Sequence, residues 1–455
     1  MNELFKKYFT DSGANMKNVL VLGAGLVSRP GVTYLLQNNF NVTVAEKEVS
    51  KAEKLTQGFS NGKAYQITVE NREELELLIK GYDIIVSLLP WVYNTKIAEL
   101  CIKNNKHMAT ASYVNQEINK LDKEARKKGL LFLNEIGLDP GIDHMSAMKI
   151  IDEIHDEEGK VLHFYSYCGG LPAPEANDNP FGYKFSWSPK GVVIASKNSA
   201  RFLENGEIVT IESRDLFLNK RIENVDPLGK FEVYPNRNSL PYKKLYELKE
   251  ALTVFRGTYR NIGWCDMFKK IVDLGLIDET PISNVKGITF KKMMADIIGV
   301  DENEDVYIKT AEKIGLSSNH SIMKNLKWLG LFNDLPIPDC ETRLDIFCEL
   351  LIEKLKYKTG EKDMIILQHK FTIENKDKTK DLITSTLIDY GIPGGDSSMA
   401  RTVSLPLAVA VRMMCEGKIK LTGVQIPIKK EIYSDILKEL EALNIKIEEN
   451  RFSLS

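Results

Sequence analysis

Ten consecutive residues, Glu135-Ile-Gly-Leu-Asp139-Pro-Gly-Ile-Asp143-His144, hold three carboxylates and an imidazole. Such a set can move protons or bind a metal ion. With Pro140 and Gly141 between the charges, it can also do no more than turn a strand into a helix. A metal site needs two or more ligands on one face. The adjacent Asp143 and His144 do not supply them, and the chain has neither His-x-x-x-His nor Cys-x-x-Cys. Asp143 and His144 read instead as helix-start residues, where an aspartate offsets the helix dipole. That leaves Asp139 at the point where a strand ends, and its meaning depends on the elements that carry it.

Upstream, Val19–Leu22 is a short continuous apolar run, as expected of a buried parallel strand. Gly23-Ala24-Gly25-Leu26-Val27-Ser28 follows and fits the pattern G-x-G-x-x-small. Gly23 permits the tight turn, Gly25 lets the backbone approach a pyrophosphate, and Ser28 lets helix and strand pack closely. The start of the next helix offers free N–H groups to phosphates. A second strand over 41–48 carries Glu46, about 20 residues beyond the glycines, where an acid grips an adenosine ribose. Further strands are predicted at 64–69, 83–90, 107–112 and 130–137, with helical stretches such as REELELLIKG and NTKIAELCIKN between them. This alternation predicts a doubly wound parallel sheet of the Rossmann type. A doubly wound domain without a nucleotide is the alternative. In such a sheet the strand ends face the cofactor, which singles out Leu89-Pro90, Ala111-Ser112-Tyr113 and Leu138-Asp139-Pro140.

Composition excludes several classes. The 455 residues are 43% hydrophobic and 27% charged, with a formal net charge of -2. That balance gives no reason to expect nucleic acid or an anionic membrane as partner. No apolar run approaches the length of a membrane span. The opening MNELFKKYFTDSGAN has neither the apolar core nor the cleavage site of a secretory signal, and is expected to be a short extension. Six scattered cysteines are expected to be reduced thiols in a cytoplasmic protein.

From about residue 160 the texture changes. Residues 163–193 begin as a strand and become a long Gly-, Pro- and aromatic-rich segment of the kind that lines sites. Strands are predicted at 208–213, 231–236, 251–260, 363–374 and 382–391, giving a mixed sheet. In 363–374 the apolar residues alternate, with His369 in their row as a satisfied sheet residue. Residues 264–358 read as helices. Asp396, Ser397 and Ser398 cap a mostly apolar helix that is expected to return to the first domain. The predicted organisation is a dinucleotide-binding domain over 16–140 with a C-terminal return at about 392–455. A mixed-sheet α+β substrate and dimerisation domain covers 141–263 and 359–391, with a helical insertion at 264–358.

From about Lys17 to Leu440 the chain resembles saccharopine dehydrogenase of the glutamate-forming type, also called saccharopine reductase. The resemblance rests on long stretches: NEIGLDPGIDHMSAMKIID, SYCGGLPAPEANDNPFGYKFSWSPKGV, YPNRNS, FRGTYRNIGW, SSMARTVSLPLAVA and GVQIPIKKEIY. It implies oxidation of saccharopine to glutamate and aminoadipate semialdehyde in lysine metabolism, in either direction, by a homodimer whose partners are these small molecules. It implies substrate binding by Ser112, Tyr113, Asp139, Arg237 and an Arg256-Gly257-Thr258 turn. Three carboxylates on the substrate call for such arginine forks. Tyr113, Asp139 and Cys168 are the implied acid–base candidates, Asp139 first. The implied cofactor contacts are Gly23, Ala24, Gly25, Leu26, Val27, Glu46, Lys47, Thr68, Val69, Leu89, Ala111, Ser112, Leu138, Asp139 and Pro140.

Glu46 favours NAD(H), because it repels a 2′-phosphate. Lys47 stands where the family often has Arg, and keeps NADP(H) open. One alternative is a carboxyspermidine-type synthase, whose cationic substrate would favour acidic pocket residues. Another is a nucleotide sensor without catalysis, which would have lost the polar substrate residues.

Overall fold

The computed structural model describes residues 17–282 and 287–454. The N-terminal extension MNELFKKYFTDSGAN lies outside them. The chain forms two compact units, Met1–Glu157 with Gly395–Glu448 and Glu158–Gly394 with Glu449–Ser455. Among the described residues no helix is long and apolar enough to cross a membrane.

In the first unit, β1 (Asn18–Leu22), β2 (Asn41–Glu46), β3 (Gly62–Gln66), β4 (Ile84–Ser87), β5 (His107–Thr110) and β6 (Leu131–Leu133) run parallel in the order 3-2-1-4-5-6. That is the doubly wound dinucleotide-binding order. Helices cover both faces of such a sheet, which is why Val19–Leu22 is apolar without alternation and buried throughout. A seventh parallel strand, Gly423–Gln425, adds beside β6 from the C-terminal return. The helix Ser398–Cys415, capped by the Ser397 side chain at the Ala400 N–H, packs on Arg29–Gln37. Gly31 makes that packing possible. Its N–H donates to Ser404 Oγ at 3.0 Å. A Cβ there would lie 2.8 Å from the Ser404 carbonyl oxygen.

Two predicted boundaries move. The helix Ile142–Asp156 belongs to the first unit rather than to the substrate domain. Its buried face packs against the returning helix Lys430–Ala442, with Tyr433 donating to Asp152. At the other end, Ile447–Leu454 does not stay with the first sheet but pairs with the edge of the second.

The second unit is a mixed sheet. Its strands are β7 (Lys160–Pro172), β8 (Ala200–Glu204), β9 (Glu207–Ile211), β10 (Arg221–Val225), β11 (Gly229–Pro235), β12 (Thr253–Arg260), β13 (Asp363–Glu374) and β14 (Lys380–Tyr390). The path runs β10-β11-β12-β7-β13-β14 and ends on Ile447–Leu454; β8 joins β9 to β12. β7 and β12 are parallel, and β13 is antiparallel to both of its neighbours. Sequence reading passes over β8, β10 and the last strand. ARFLE, RIENV and IEENRFSL are short or polar, and only pairing makes them strands.

The helices between Trp264 and Lys354 are not a separate insertion. Phe268, Leu326 and Phe347 share one buried cluster with the sheet residues Tyr167, Phe255 and Tyr259. Burying each such side chain contributes roughly 1.5–3 kcal/mol, so sheet and helices stabilise each other. The segment Ala173–Ser188 is mostly irregular, and ion pairs hold it. Lys184, only 2% exposed, is held between Asp178 at 2.7 Å and Glu361 at 2.6 Å. A buried ammonium is tolerated when it is paired in this way.

Candidate functional site

The glycine loop closes the end of β1. Gly23 has φ +105, and a Cβ on it would meet the Leu88 carbonyl at 3.1 Å. At Gly25 the opposite holds: no atom lies within 4 Å of where a Cβ would be. The backbone there is open, and a pyrophosphate can approach it. The buried Ser28 hydroxyl donates to the Gly23 carbonyl at 3.2 Å and locks the turn. Ala24 is buried, Val27 half-buried and Leu26 exposed.

Glu46 ends β2 beside this loop. One carboxylate oxygen accepts from the Ala24 N–H and the other from the Lys47 N–H, both at 2.8 Å. Each oxygen keeps a further lone pair for a ribose hydroxyl. Lys47 is exposed next to it. β3 is shorter than predicted and ends at Gln66, so Thr68 and Val69 lie in the turn that follows. Leu89 is half-buried beyond β4 and packs on the core of this unit. These residues fit a dinucleotide.

β5 and β6 also stop earlier than predicted, at Thr110 and Leu133, so Asp139 stands in a loop rather than at a strand end. Past those ends the two segments stay laced. Ile136 N–H donates to the Thr110 carbonyl at 3.2 Å, and Glu135 N–H to the Ser112 carbonyl at 3.1 Å. This brings Tyr113 to Asp139, phenol to carboxylate, at 3.1 Å. Leu138 and Pro140 are buried around them, while Ala111 and Ser112 stay half-exposed. Gly141 has φ +146, and a Cβ on it would lie 2.0 Å from the Gly137 carbonyl oxygen, so only glycine closes this loop. Asp143 takes the helix-start role predicted for it: its Oδ1 accepts from the N–H groups of Gly141 at 2.6 Å and His144 at 2.8 Å. His144 does more than open the helix, since its buried Nε2 lies 2.8 Å from Glu135 Oε2. Among the described residues no group of three or more His, Cys, Asp or Glu side chains is placed to hold a metal ion.

In the second unit, Arg256, Gly257 and Thr258 lie within β12 and form no turn. Side chains alternate along a strand. Phe255 and Tyr259 enter the buried cluster, so Arg256, Thr258 and Arg260 share the other face. Cys168 on β7 aligns with Thr258, and Ser166 with Arg256. Gly257 points the opposite way. A Cβ on it would meet Val233 at 2.3 Å, so its role is packing of β11 on β12. Arg237 follows β11 with φ +53; its carbonyl accepts from the Arg201 N–H at 2.9 Å and its side chain is exposed. Arg256 is buried, with its guanidinium 4.5 Å from the Tyr242 ring centre.

Arg260 is a residue that sequence reading missed. It is 4% exposed and boxed by the rings of Tyr183, Tyr234 and Trp264 at 5.0, 5.7 and 5.2 Å. Burial raises both phenols above their ordinary range, so the box carries no negative charge. The guanidinium donates to the Tyr259 carbonyl at 2.8 Å, its Nε has no hydrogen-bond partner, and no carboxylate pairs with it among the described residues. A buried cation left this way is suited to an incoming carboxylate.

Two family models together match nearly the whole chain. The saccharopine dehydrogenase NADP binding domain covers residues 19–133 and the saccharopine dehydrogenase C-terminal domain covers 137–445. The saccharopine dehydrogenase [NADP(+), L-glutamate-forming] of Schizosaccharomyces pombe is 39% identical, over 95% of this chain and 99% of its own. The protein of the same name from Saccharomyces cerevisiae is 40% identical, over 93% and 97%. The mitochondrial alpha-aminoadipic semialdehyde synthase of Rattus norvegicus is 35% identical over 95% of this chain, which spans 48% of that longer protein. The solved structure of apo saccharopine dehydrogenase (L-Glu forming) from S. cerevisiae superposes with a TM-score of 0.87 at 39% identity, covering 96% of this chain and 99% of that one. Fold, glycine loop and these likenesses agree, and the chain belongs to the saccharopine dehydrogenase family.

Proposed function

We propose that this chain is a saccharopine dehydrogenase of the L-glutamate-forming type. It converts saccharopine, water and an oxidised nicotinamide dinucleotide to L-glutamate, 2-aminoadipate 6-semialdehyde and the reduced dinucleotide, in lysine metabolism. The observation that carries this reading is the end-to-end likeness to enzymes of that name, with 95% of this chain aligned to 99% of the fission yeast protein.

The chemistry follows from the residues. Saccharopine is lysine joined through its side-chain nitrogen to the α-carbon of glutarate, and it carries three carboxylates. Arg237, Arg256 and Arg260 are cations whose planar forks suit carboxylates. A nicotinamide dinucleotide held at the glycine loop and Glu46 would supply the acceptor for the hydride that leaves the lysine ε-carbon. As the C–N bond becomes an imine, the Tyr113–Asp139 pair takes up the amine proton. The same pair serves the water that cleaves the imine, and Cys168 stands in the row of Thr258 as a further polar group. A carboxyspermidine-type reaction would need acidic residues where this chain has arginines, and a nucleotide sensor would not keep this polar set. The test is absorbance at the nicotinamide band with saccharopine and with a diamine. Turnover of the diamine alone overturns the proposal. A cytoplasmic homodimer acting on small molecules completes the reading.

The cofactor choice proposed here is NAD, although the compared relatives are named for NADP. Glu46 supports it. Its carboxylate is fixed at the glycine loop, where a 2′-phosphate would meet a like charge. Lys47 offsets part of that as a point charge. A clash of this kind in a half-exposed site costs about 1–2 kcal/mol, or roughly tenfold in affinity. Specificity constants for the two dinucleotides are expected to favour NAD by about tenfold, and Glu46→Ser to narrow or reverse the ratio. A clear NADP preference in the native chain overturns this choice.

Exhaustive chelation is expected to leave turnover unchanged, since the candidate groups are proton carriers and cations. Loss of activity that added zinc restores would put a metal at the Glu135–His144 cluster.

A further inference from the structure

We propose that Glu135 and His144 form a buried positioning pair that holds Tyr113 and Asp139 at their working separation. Glu135 is tied to the chain on both sides of Tyr113. Its N–H donates to the carbonyl of Ser112 at 3.1 Å, and its Oε1 accepts from the N–H of Val114 at 2.9 Å. Its other oxygen, Oε2, lies 2.8 Å from His144 Nε2. His144 stands in the first turn of the helix that begins directly after Asp139-Pro140-Gly141. One carboxylate therefore joins the loop that carries the phenol to the helix that anchors the loop of the aspartate. The phenol and the aspartate meet at 3.1 Å.

The backbone at Glu135 supports a purpose beyond filling space. Its φ is +57, a conformation that non-glycine residues seldom adopt, and the residue is 8% exposed. The His144 side chain is 0% exposed, so it does not meet substrate and acts only through what it holds. Groups of this kind fix the orientation of a reacting side chain, and a displacement of about 1 Å at a reacting pair costs on the order of 100-fold in rate.

The inference rests on the reading of the chain as a saccharopine dehydrogenase that works through Tyr113 and Asp139. The test is a double-mutant cycle on the full chain, followed by turnover of saccharopine and by dinucleotide binding. Glu135→Ala is expected to lower kcat by about 10- to 100-fold, with KM and dinucleotide affinity within about threefold of native. Glu135→Gln keeps an acceptor for Val114 and a partner for His144, and is expected to retain about a third of kcat or more. In an Asp139→Asn background the same Glu135→Ala change is expected to cost less than about twofold, because the pair it positions is already disabled. Equal losses in both backgrounds, or a rise in KM with kcat unchanged, overturn the proposal. Should Glu135→Ala not fold, His144→Asn removes the Nε2 contact with Glu135 without adding bulk at the buried site, and is read by the same cycle. A native chain that does not turn over saccharopine overturns the functional reading beneath; native turnover with additive losses overturns the positioning pair alone.

Discussion

Asp139→Asn is expected to fold, to bind dinucleotide as the native chain does, and to lose about 100-fold or more in turnover of saccharopine. The amide keeps an oxygen in place of Oδ1, so the hydrogen bond from Tyr113 at 3.1 Å survives. What the substitution removes is the capacity to hold a proton from the amine. The glycine loop that seats the cofactor is closed by Ser28 and Glu46, which the substitution leaves in place. The pH profile separates the two roles open to Asp139. If it is the general base, the low-pH limb of the rate profile moves in the variant. A loss of a fewfold with an unchanged profile makes Asp139 a positioning residue. The amine would then lose its proton to solvent.

Arg237→Ala is the second large effect. It is expected to weaken saccharopine binding by about 2–3 kcal/mol, the worth of one charged hydrogen bond to a carboxylate. The Michaelis constant rises accordingly, roughly 30- to 150-fold, while dinucleotide affinity barely changes. The structure makes this a clean experiment. The Arg237 side chain is exposed, and its carbonyl accepts from the Arg201 N–H, a bond that the substitution leaves in place. Equal losses of dinucleotide and saccharopine binding would remove Arg237 from the substrate site. Arg256 offers no such separation, because its guanidinium is buried over Tyr242 and truncation would also disturb packing.

Much of the first unit was legible in one dimension. The apolar run of β1 needs no partner to be recognised, since burial on both faces leaves no room for alternation. The glycine pattern states a backbone geometry directly, and Gly23 at φ +105 with Gly25 open to solvent is that geometry. In the second unit the alternation of 363–374 marked β13 to the residue, and the row Ile365, Leu367, His369, Phe371 and Ile373 is buried throughout. Ser397 read as a cap from its type and place alone.

What the sequence did not determine was every feature made by residues distant in the chain. Gly423–Gln425 is three residues long, and only β6 makes it a strand. The helices of 264–354 looked separable because their periodicity is complete in itself; that their apolar faces meet the sheet is a fact of packing. The strand over 251–260 was legible, but the turn that the resemblance implied at Arg256-Gly257-Thr258 is not there, and the register with β7 and β11 is what sets Arg256, Thr258 and Arg260 on one face. Arg260 gave no signal, since an arginine in a strand is ordinarily a solvated one, and only the aromatic box reveals it as a buried cation. The cluster at Glu135–His144 shows the division most plainly. Residue types and spacing were enough to mark it. The pairing of Glu135 with His144, and of Asp139 with Tyr113, arises because the ends of two parallel strands are laced side by side, a contact that spacing along the chain does not encode.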